Sequence, residues 1–326
     1  MSGAVGSSSR EDFSPLAIPP EDATEAAVSA PAAAPRPLPR ALATARDLLA
    51  LTKPGVTLMC VATASAGLWV APLRPGVGTI IGTLLGTALA VAAAAAFNMF
   101  LERDLDRRMQ RTRRRPLPDG RLAPGAAVAL GSVLAVAATV LLWTQVNRLT
   151  ALLALIALLS YVLVYTPLKR QTHLALWVGA IPGAMPPLMG WTAATGRLDL
   201  AGWALFLTVA LWQLPHFLAI SIYRRAEYTR AGIKIVPEEL GETVARAQCV
   251  IFTAALLPAS LSLPALGVAG WIYTAAALPA GLGWLLLALA GLRAPSGPTW
   301  ARRFFLASLV YLPVIVLGLM LDAVFR

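Results

Sequence analysis

Residues 77–121 read VGTIIGTLLGTALAVAAAAAFNMFLERDLDRRMQRTRRRPLPDGR, an apolar block that runs directly into a highly charged segment. The charged part, residues 98–121, holds eight arginines and four carboxylates, whereas only 13% of the 326 residues in the chain are charged. Charges at the end of an apolar helix serve membrane topology, a functional site, or both. This segment is therefore the leading candidate for the functional site of the chain.

Long apolar blocks recur along most of the sequence. The mean hydropathy is +0.70, and 58% of the residues are hydrophobic. At about 1.5 Å per residue, roughly twenty residues form a helix that crosses the bilayer core. Such blocks occur at about 51–72, 77–98, 125–146, 149–166, 174–194, 200–222, 246–268, 271–292 and 304–325. The pattern predicts an all-α polytopic membrane protein with nine transmembrane helices.

The amino-terminal segment has a different composition. Residues 1–44 are rich in Ala, Pro, Ser and Gly and lack apolar periodicity, which predicts disorder. Acidic residues outnumber arginines in this segment, unlike in a transit peptide. We predict a disordered cytoplasmic tail over residues 1–44 and a membrane domain over residues 45–326.

The basic residues are distributed asymmetrically between the predicted loops. The net charge is +11, and most Lys and Arg of the membrane domain fall in the loops that follow the second, fourth, sixth and eighth spans. This is the positive-inside pattern, so it predicts a cytoplasmic amino terminus and a periplasmic carboxyl terminus. It also accounts for the charge without nucleic-acid binding. The composition favours a bacterial inner membrane.

Topology does not explain the carboxylates of the charged segment. Asn98, Glu102 and Asp106 are spaced four residues apart, so a continuous helix would stack them on one face. Oxygen ligands in this arrangement suit Mg²⁺, which binds carboxylates while keeping positions for water and substrate phosphates. The alternative is that these acids pair with neighbouring arginines on a solvated helix end, and spacing alone does not exclude it.

A second polar segment lies at the end of the sixth span. Residues 212–232 read WQLPHFLAISIYRRAEYTRAG and enter a basic loop on the same predicted side as the first segment. Acids and arginines from two such segments are suited to binding a magnesium diphosphate between them, because arginines neutralise the diphosphate and the metal bridges its oxygens.

Several motifs resemble the UbiA superfamily of intramembrane prenyltransferases and, within it, the protohaem IX farnesyltransferases. The resemblance covers residues 45–325. It rests on Thr52-Lys53-Pro54, Asn98–Leu117, Tyr165-Thr166, Lys169-Arg170, Gly183-Ala184 with Pro186-Pro187 and Gly190-Trp191, Trp212-Gln213 with Pro215-His216-Phe217, and Tyr228 with Ala231-Gly232. Two positions depart from the family pattern, because Glu102 and Glu227 stand where the family usually has Asp.

The resemblance implies a fold and a reaction. The expected fold is nine transmembrane helices around a central cavity, and the expected reaction transfers the farnesyl group of farnesyl diphosphate to a vinyl group of haem B, with addition of water, to give haem O. The implied cofactor is Mg²⁺, and the candidate protein partner is haem A synthase. The alternatives are a related prenyltransferase that acts on a quinone precursor or another aromatic or lipid acceptor, and a transporter, which would place its charges near the midplane.

The site residues follow from matching these motifs. The expected catalytic and metal-binding residues are Asn98, Glu102, Asp106 and Glu227. The expected substrate-binding residues are Lys53, Arg103, Arg107, Arg111, Arg115, Lys169, Arg170, His216 and Tyr228. Any one of these cations is equally explained as a topology anchor. His216 has three interpretations: a ligand of haem iron, a partner of a haem propionate, or a bond to a neighbouring helix. The Pro- and Gly-rich fifth span is expected to be broken or kinked, or else to pack closely on another helix.

Overall fold

The computed structural model describes residues 40–325, which are helical and contain no strand. The helices are α1 (Arg40–Leu51), α2 (Pro54–Trp69), α3 (Val77–Arg107), α4 (Pro124–Gln145), α5 (Arg148–Leu159), a π-helical segment (Ser160–Tyr165), α6 (Thr166–Leu168), α7 (Ala175–Thr195), α8 (Leu200–Tyr223), α9 (Arg225–Ala231), α10 (Val236–Glu239), α11 (Glu242–Ala265), α12 (Trp271–Arg293) and α13 (Pro298–Phe325). Helix α1 includes residues 40–44 of the predicted tail, and the remainder of that tail lies outside the described residues.

The all-helical membrane class is confirmed, but the count of nine spans is not. Within residues 40–325, seven helices are long and apolar enough to cross a membrane, and a bent pair formed by α1 and α2 raises the number to eight. Helix α7 has 21 residues but is not among them, because its prolines and glycines lower its hydropathy. Nine spans would require α7 to cross as well, so that number stays a prediction.

The first predicted span, residues 51–72, corresponds to α2, and Lys53 separates it from α1. Pro54 has no backbone N–H and disfavours a helical conformation in the residue before it, so α1 ends and α2 begins around this position. The two helices meet at 49°. Lys53 takes a left-handed conformation (φ 47°, ψ 65°) and is the one non-glycine residue with positive φ in the described chain. Such strained backbone is concentrated at functional sites in proteins.

Helix α3 determines where the acidic motif lies. It has 31 residues and continues beyond the apolar block to Arg107. Asn98, Glu102 and Asp106 therefore share one helix and are all buried, as the four-residue spacing predicts. The side chain of Asp104, on another face of the same helix, is 68% exposed. The face of α3 that carries Asn98, Glu102 and Asp106 thus points into the protein interior.

Helix α7 packs closely against α2. A Cβ on Gly190 would collide with the backbone carbonyl of Ala64, and one on Gly67 would collide with the carbonyl of Pro187. The span is not broken, since α7 runs without interruption through its three prolines, and the alternative of a kink stays a prediction. Its small residues instead permit a close helix contact, which is the alternative that the sequence left open.

Candidate active site

A polar basin of about 210 Å³ lies where α3, the loop that follows it, and α9 meet. Its charged side chains are five cations and two carboxylates. Its polar lining comprises Lys53, Asn98, Glu102, Asp106, Arg111, Arg115, Tyr161, Tyr165, Lys169, His173, Ser221, Tyr228 and Lys234. The excess of cations suits an anionic ligand with more than one negative charge.

An apolar cavity of about 470 Å³ adjoins the basin. Residues from α2, α3, α5, α7, α8 and α13 line the cavity, most of them apolar. Lys53, Tyr161, Tyr165 and Phe217 line both spaces. The polar basin and the apolar cavity therefore lie next to each other, with these four residues at their boundary. This arrangement accommodates a molecule with a charged head and a hydrocarbon tail.

The carboxylate of Asp106 is held by Arg115. Arg115 donates from a guanidinium N–H to Oδ2 of Asp106 at 2.8 Å, while the hydroxyl of Thr112 donates to the Asp106 backbone carbonyl at 2.9 Å. Asp106 is fully buried, and its Oδ1 has no hydrogen-bond partner within residues 40–325. A buried carboxylate oxygen without a partner is costly, so Oδ1 retains an unused capacity to bind a ligand or metal.

Asn98 and Glu102 form a second polar group with two lysines. Lys53 donates from Nζ to Oδ1 of Asn98 at 2.7 Å. The Asn98 amide donates to Oε1 of Glu102 and to the hydroxyl of Thr166, the latter at 3.2 Å. Lys169 pairs with the same oxygen of Glu102. The left-handed turn at Lys53 thus places its ammonium group against α3, on the basin lining.

Glu227 lies beside the basin rather than in its lining. One carboxylate oxygen accepts from the backbone N–H of Arg111 at 3.1 Å, and the other is 3.6 Å from Arg224. Glu227 therefore ties α9 to the loop after α3. Its neighbour Tyr228 does line the basin, and burial raises the pKa of its phenol above the ordinary value. Tyr228 consequently remains a neutral hydrogen-bond donor at physiological pH.

Three predicted cations do not line the basin. Arg103 donates to the carbonyl of Phe100, and Arg107 binds Asp104 and the carbonyl of Pro118. Arg170 is also absent from the lining of both spaces. For these three residues, the role of topology anchor agrees better with their positions than substrate contact does.

His216 lines the apolar cavity but not the basin. Its Nδ1 is 2.7 Å from the hydroxyl of Ser308 on α13, and its ring stacks on Trp212 with centroids 4.9 Å apart. Of the three interpretations for His216, the bond to a neighbouring helix is present in the structure. Contact with haem stays a prediction.

Several residues in or next to the basin were not predicted as site residues. Thr166 contacts Asn98, and Tyr165 lines both spaces, although the sequence marks this pair only as part of a family motif. His173 and Lys234 also line the basin. A polar residue at the end of an apolar block is a recognisable pattern in the sequence. The loop conformations that bring these residues together leave no such pattern.

The carboxylates of the basin fit a divalent metal whose remaining ligands come from a substrate. No group of three or more His, Cys, Asp or Glu side chains in the described part of the chain could hold a metal ion by itself. Glu102 and Asp106, however, lie one helical turn apart in the basin, and Oδ1 of Asp106 lacks a partner. Mg²⁺ is usually bound by one or two carboxylates together with substrate phosphates and water.

The helical bundle, with a cation-rich basin beside an apolar cavity, defines a membrane protein with a site for amphiphilic anions, and solved structures share its fold. A structure of digeranylgeranylglyceryl phosphate synthase superposes with a TM-score of 0.75 at 14% identity, covering 87% of this chain and all of that one. A UbiA homologue from Archaeoglobus fulgidus bound to GPP and Mg²⁺ gives a TM-score of 0.62 at 15% identity, covering 84% and 99%.

This chain belongs to the UbiA prenyltransferase family, whose model matches residues 60–309. Two curated relatives are named protoheme IX farnesyltransferase. The protein from Anaeromyxobacter dehalogenans is 47% identical over 281 residues, which cover 86% of this chain and 95% of the relative. The protein from Sorangium cellulosum is 48% identical over 280 residues, which cover 81% and 100%. The predicted family and the prenyltransferase class are confirmed.

Proposed function

We propose that this chain transfers the farnesyl group of farnesyl diphosphate to a vinyl group of haem B, giving haem O and diphosphate. The observation that carries the proposal is the adjacency of the basin and the cavity, which share Lys53, Tyr161, Tyr165 and Phe217 in their linings. It places a diphosphate among cations and the hydrocarbon chain among apolar side chains. The choice of haem B as the acceptor rests on relatives of nearly full length that carry this activity in their names.

The basin supplies charge for the leaving group. Arg111, Arg115, Lys53 and Lys169 surround the position of the diphosphate, where they neutralise the charge that accumulates as the C–O bond breaks. Neutral Tyr228 donates a hydrogen bond to the same group. Lys53, Lys169 and Arg115 are held by Asn98, Glu102 and Asp106 respectively, so these three cations need little reorganisation during the reaction.

Mg²⁺ is the proposed cofactor, held by Asp106 and Glu102 with Asn98 beside them. Bound there, Mg²⁺ would supply Lewis-acid stabilisation of the negative charge on the leaving group. Glu227 is proposed to act indirectly, by holding the backbone of Arg111 in place. Arg103, Arg107 and Arg170 are proposed as topology anchors.

The apolar cavity protects the reacting carbon from water. Its lining from α2, α3, α5 and α7 excludes bulk water from the allylic cation that forms when diphosphate leaves. The vinyl group of haem B then attacks the farnesyl carbon that carried the diphosphate. We place the protein in a bacterial inner membrane with the basin at the cytoplasmic side, and propose haem A synthase as the enzyme that receives haem O.

Removing divalent metal should abolish haem O formation. Treatment of the purified protein with EDTA is expected to lower the rate by about 100-fold or more, because a metal contributes several kcal/mol and about 1.4 kcal/mol is tenfold in rate. Added Mg²⁺ should restore the rate. The measurement is haem O detected by mass spectrometry after incubation with farnesyl diphosphate and haem B. Full turnover in EDTA would contradict the proposed metal site.

A further inference from the structure

The proposed reaction, on which this inference rests, consumes a water molecule inside an apolar cavity. Bonding of the farnesyl carbon to the terminal vinyl carbon leaves a cation on the inner vinyl carbon, next to the porphyrin ring. Haem O forms when a water oxygen bonds to that carbon and loses a proton. Loss of a proton from the adjacent carbon would instead give an alkene. An ordered water requires two or more polar partners, so the cavity must supply them.

Gln213 presents a polar atom to the cavity lining. Its side chain is buried on α8, and its Nε2 donates at 3.3 Å to the carbonyl of Val209 and at 3.4 Å to that of Ala180. No donor within residues 40–325 bonds its Oε1. A Cβ on Gly183 would collide with Oε1, so the glycine makes room for this oxygen. Both residues line the cavity.

His216 presents a second polar atom one helical turn further along α8. The Ser308 hydroxyl donates its only hydrogen to the carbonyl of Phe305 at 2.5 Å, so it accepts from Nδ1 of His216 at 2.7 Å. The neutral ring therefore carries its hydrogen on Nδ1, and Nε2 has a free lone pair. The stacking of the ring on Trp212 fixes its orientation.

We propose that Gln213 and His216 form a hydration subsite for the second cation of the reaction. Oε1 of Gln213 accepts a hydrogen bond from the water and orients its oxygen, and Nε2 of His216 accepts the proton as the C–O bond forms. Residues three apart on a helix are neighbours, which allows one water to reach both. Farnesyl diphosphate, haem B and water thus give haem O, diphosphate and one proton, which returns from His216 to solvent.

The test compares two products of the purified protein by mass spectrometry. Gln213→Met and His216→Phe, which keep approximate size but remove the acceptor atom, are expected to shift the product from haem O toward the dehydrated farnesyl haem. The ratio of dehydrated to hydrated product should rise roughly tenfold or more, given that proton transfer by a positioned group typically contributes about 100-fold or more. Thr208→Val on the same helix is the matched control, because Thr208 bonds the carbonyls of Ala204 and Ala259 and does not line the cavity.

The outcomes separate this inference from the proposed function. If the unmodified protein makes haem O and both variants keep its product ratio, the hydration subsite is wrong and the farnesyl transfer stands. A variant that elutes as a folded protein but makes neither product also overturns the subsite, because carbon–carbon bond formation does not need the water. If one variant fails to fold, the other decides. If the unmodified protein farnesylates no haem, the proposed function itself fails.

Discussion

Replacing Asp106 with Asn is expected to lower the rate of farnesyl transfer by about 100-fold or more. Asp106 is fully buried, holds Arg115 at 2.8 Å and has one carboxylate oxygen without a protein partner. Asn keeps the size of the side chain but removes the charge that holds both the arginine and the proposed metal. The measurement is the initial rate of haem O formation at saturating farnesyl diphosphate and Mg²⁺.

Asp104→Asn is the matched control for this substitution. Asp104 lies two residues earlier on α3, but it is exposed and pairs with Arg103 and Arg107 outside the basin. Since exposed ion pairs contribute little, the control should retain the rate of the unmodified protein. Equal losses in the two variants would show that the charge of the helix end matters, rather than the basin carboxylate.

Replacing Arg246 with Met is expected to destabilise the fold by about 3 kcal/mol or more. Arg246 is buried in α11, pairs with Glu242, and donates to the carbonyls of Gly291, Ala294 and Pro295. It therefore ties the loop between α12 and α13 to α11. Met would leave the Glu242 carboxylate and three carbonyls without this donor, and the midpoint of thermal unfolding in detergent should fall by roughly 6 °C or more.

Arg302→Met provides the comparison, because Arg302 is an exposed arginine on α13. The unfolding temperature of the Arg302→Met variant should stay close to that of the unmodified protein. A midpoint for Arg246→Met that matches this control would contradict the structural role assigned to the buried arginine.

Local patterns in the sequence predicted most of the helices. The apolar blocks at 200–222 and 271–292 correspond to Leu200–Tyr223 and Trp271–Arg293, because helix length and hydropathy are properties of a single segment. The four-residue spacing of Asn98, Glu102 and Asp106 likewise predicted their common buried face. That face depends only on the periodicity of α3.

Contacts between distant segments were less predictable. The sequence placed Glu227 with the α3 carboxylates, whereas it bonds the backbone of Arg111. The pairing of Lys169 with Glu102 joins the residue after α6 to α3, and the contact of Lys53 with Asn98 depends on a left-handed turn. These features arise from the packing of several helices together, which periodicity within one segment does not encode.

A competition between two acceptors is the most direct test of whether haem B is the acceptor of the farnesyl group. The purified protein would receive labelled farnesyl diphosphate and Mg²⁺ together with equal amounts of haem B and a quinone precursor such as a hydroxybenzoate. The Asp106→Asn variant would serve as the blank. We expect the label to enter haem as haem O and the quinone precursor to remain unmodified. Label in the quinone precursor with none in haem would show that haem B is not the acceptor.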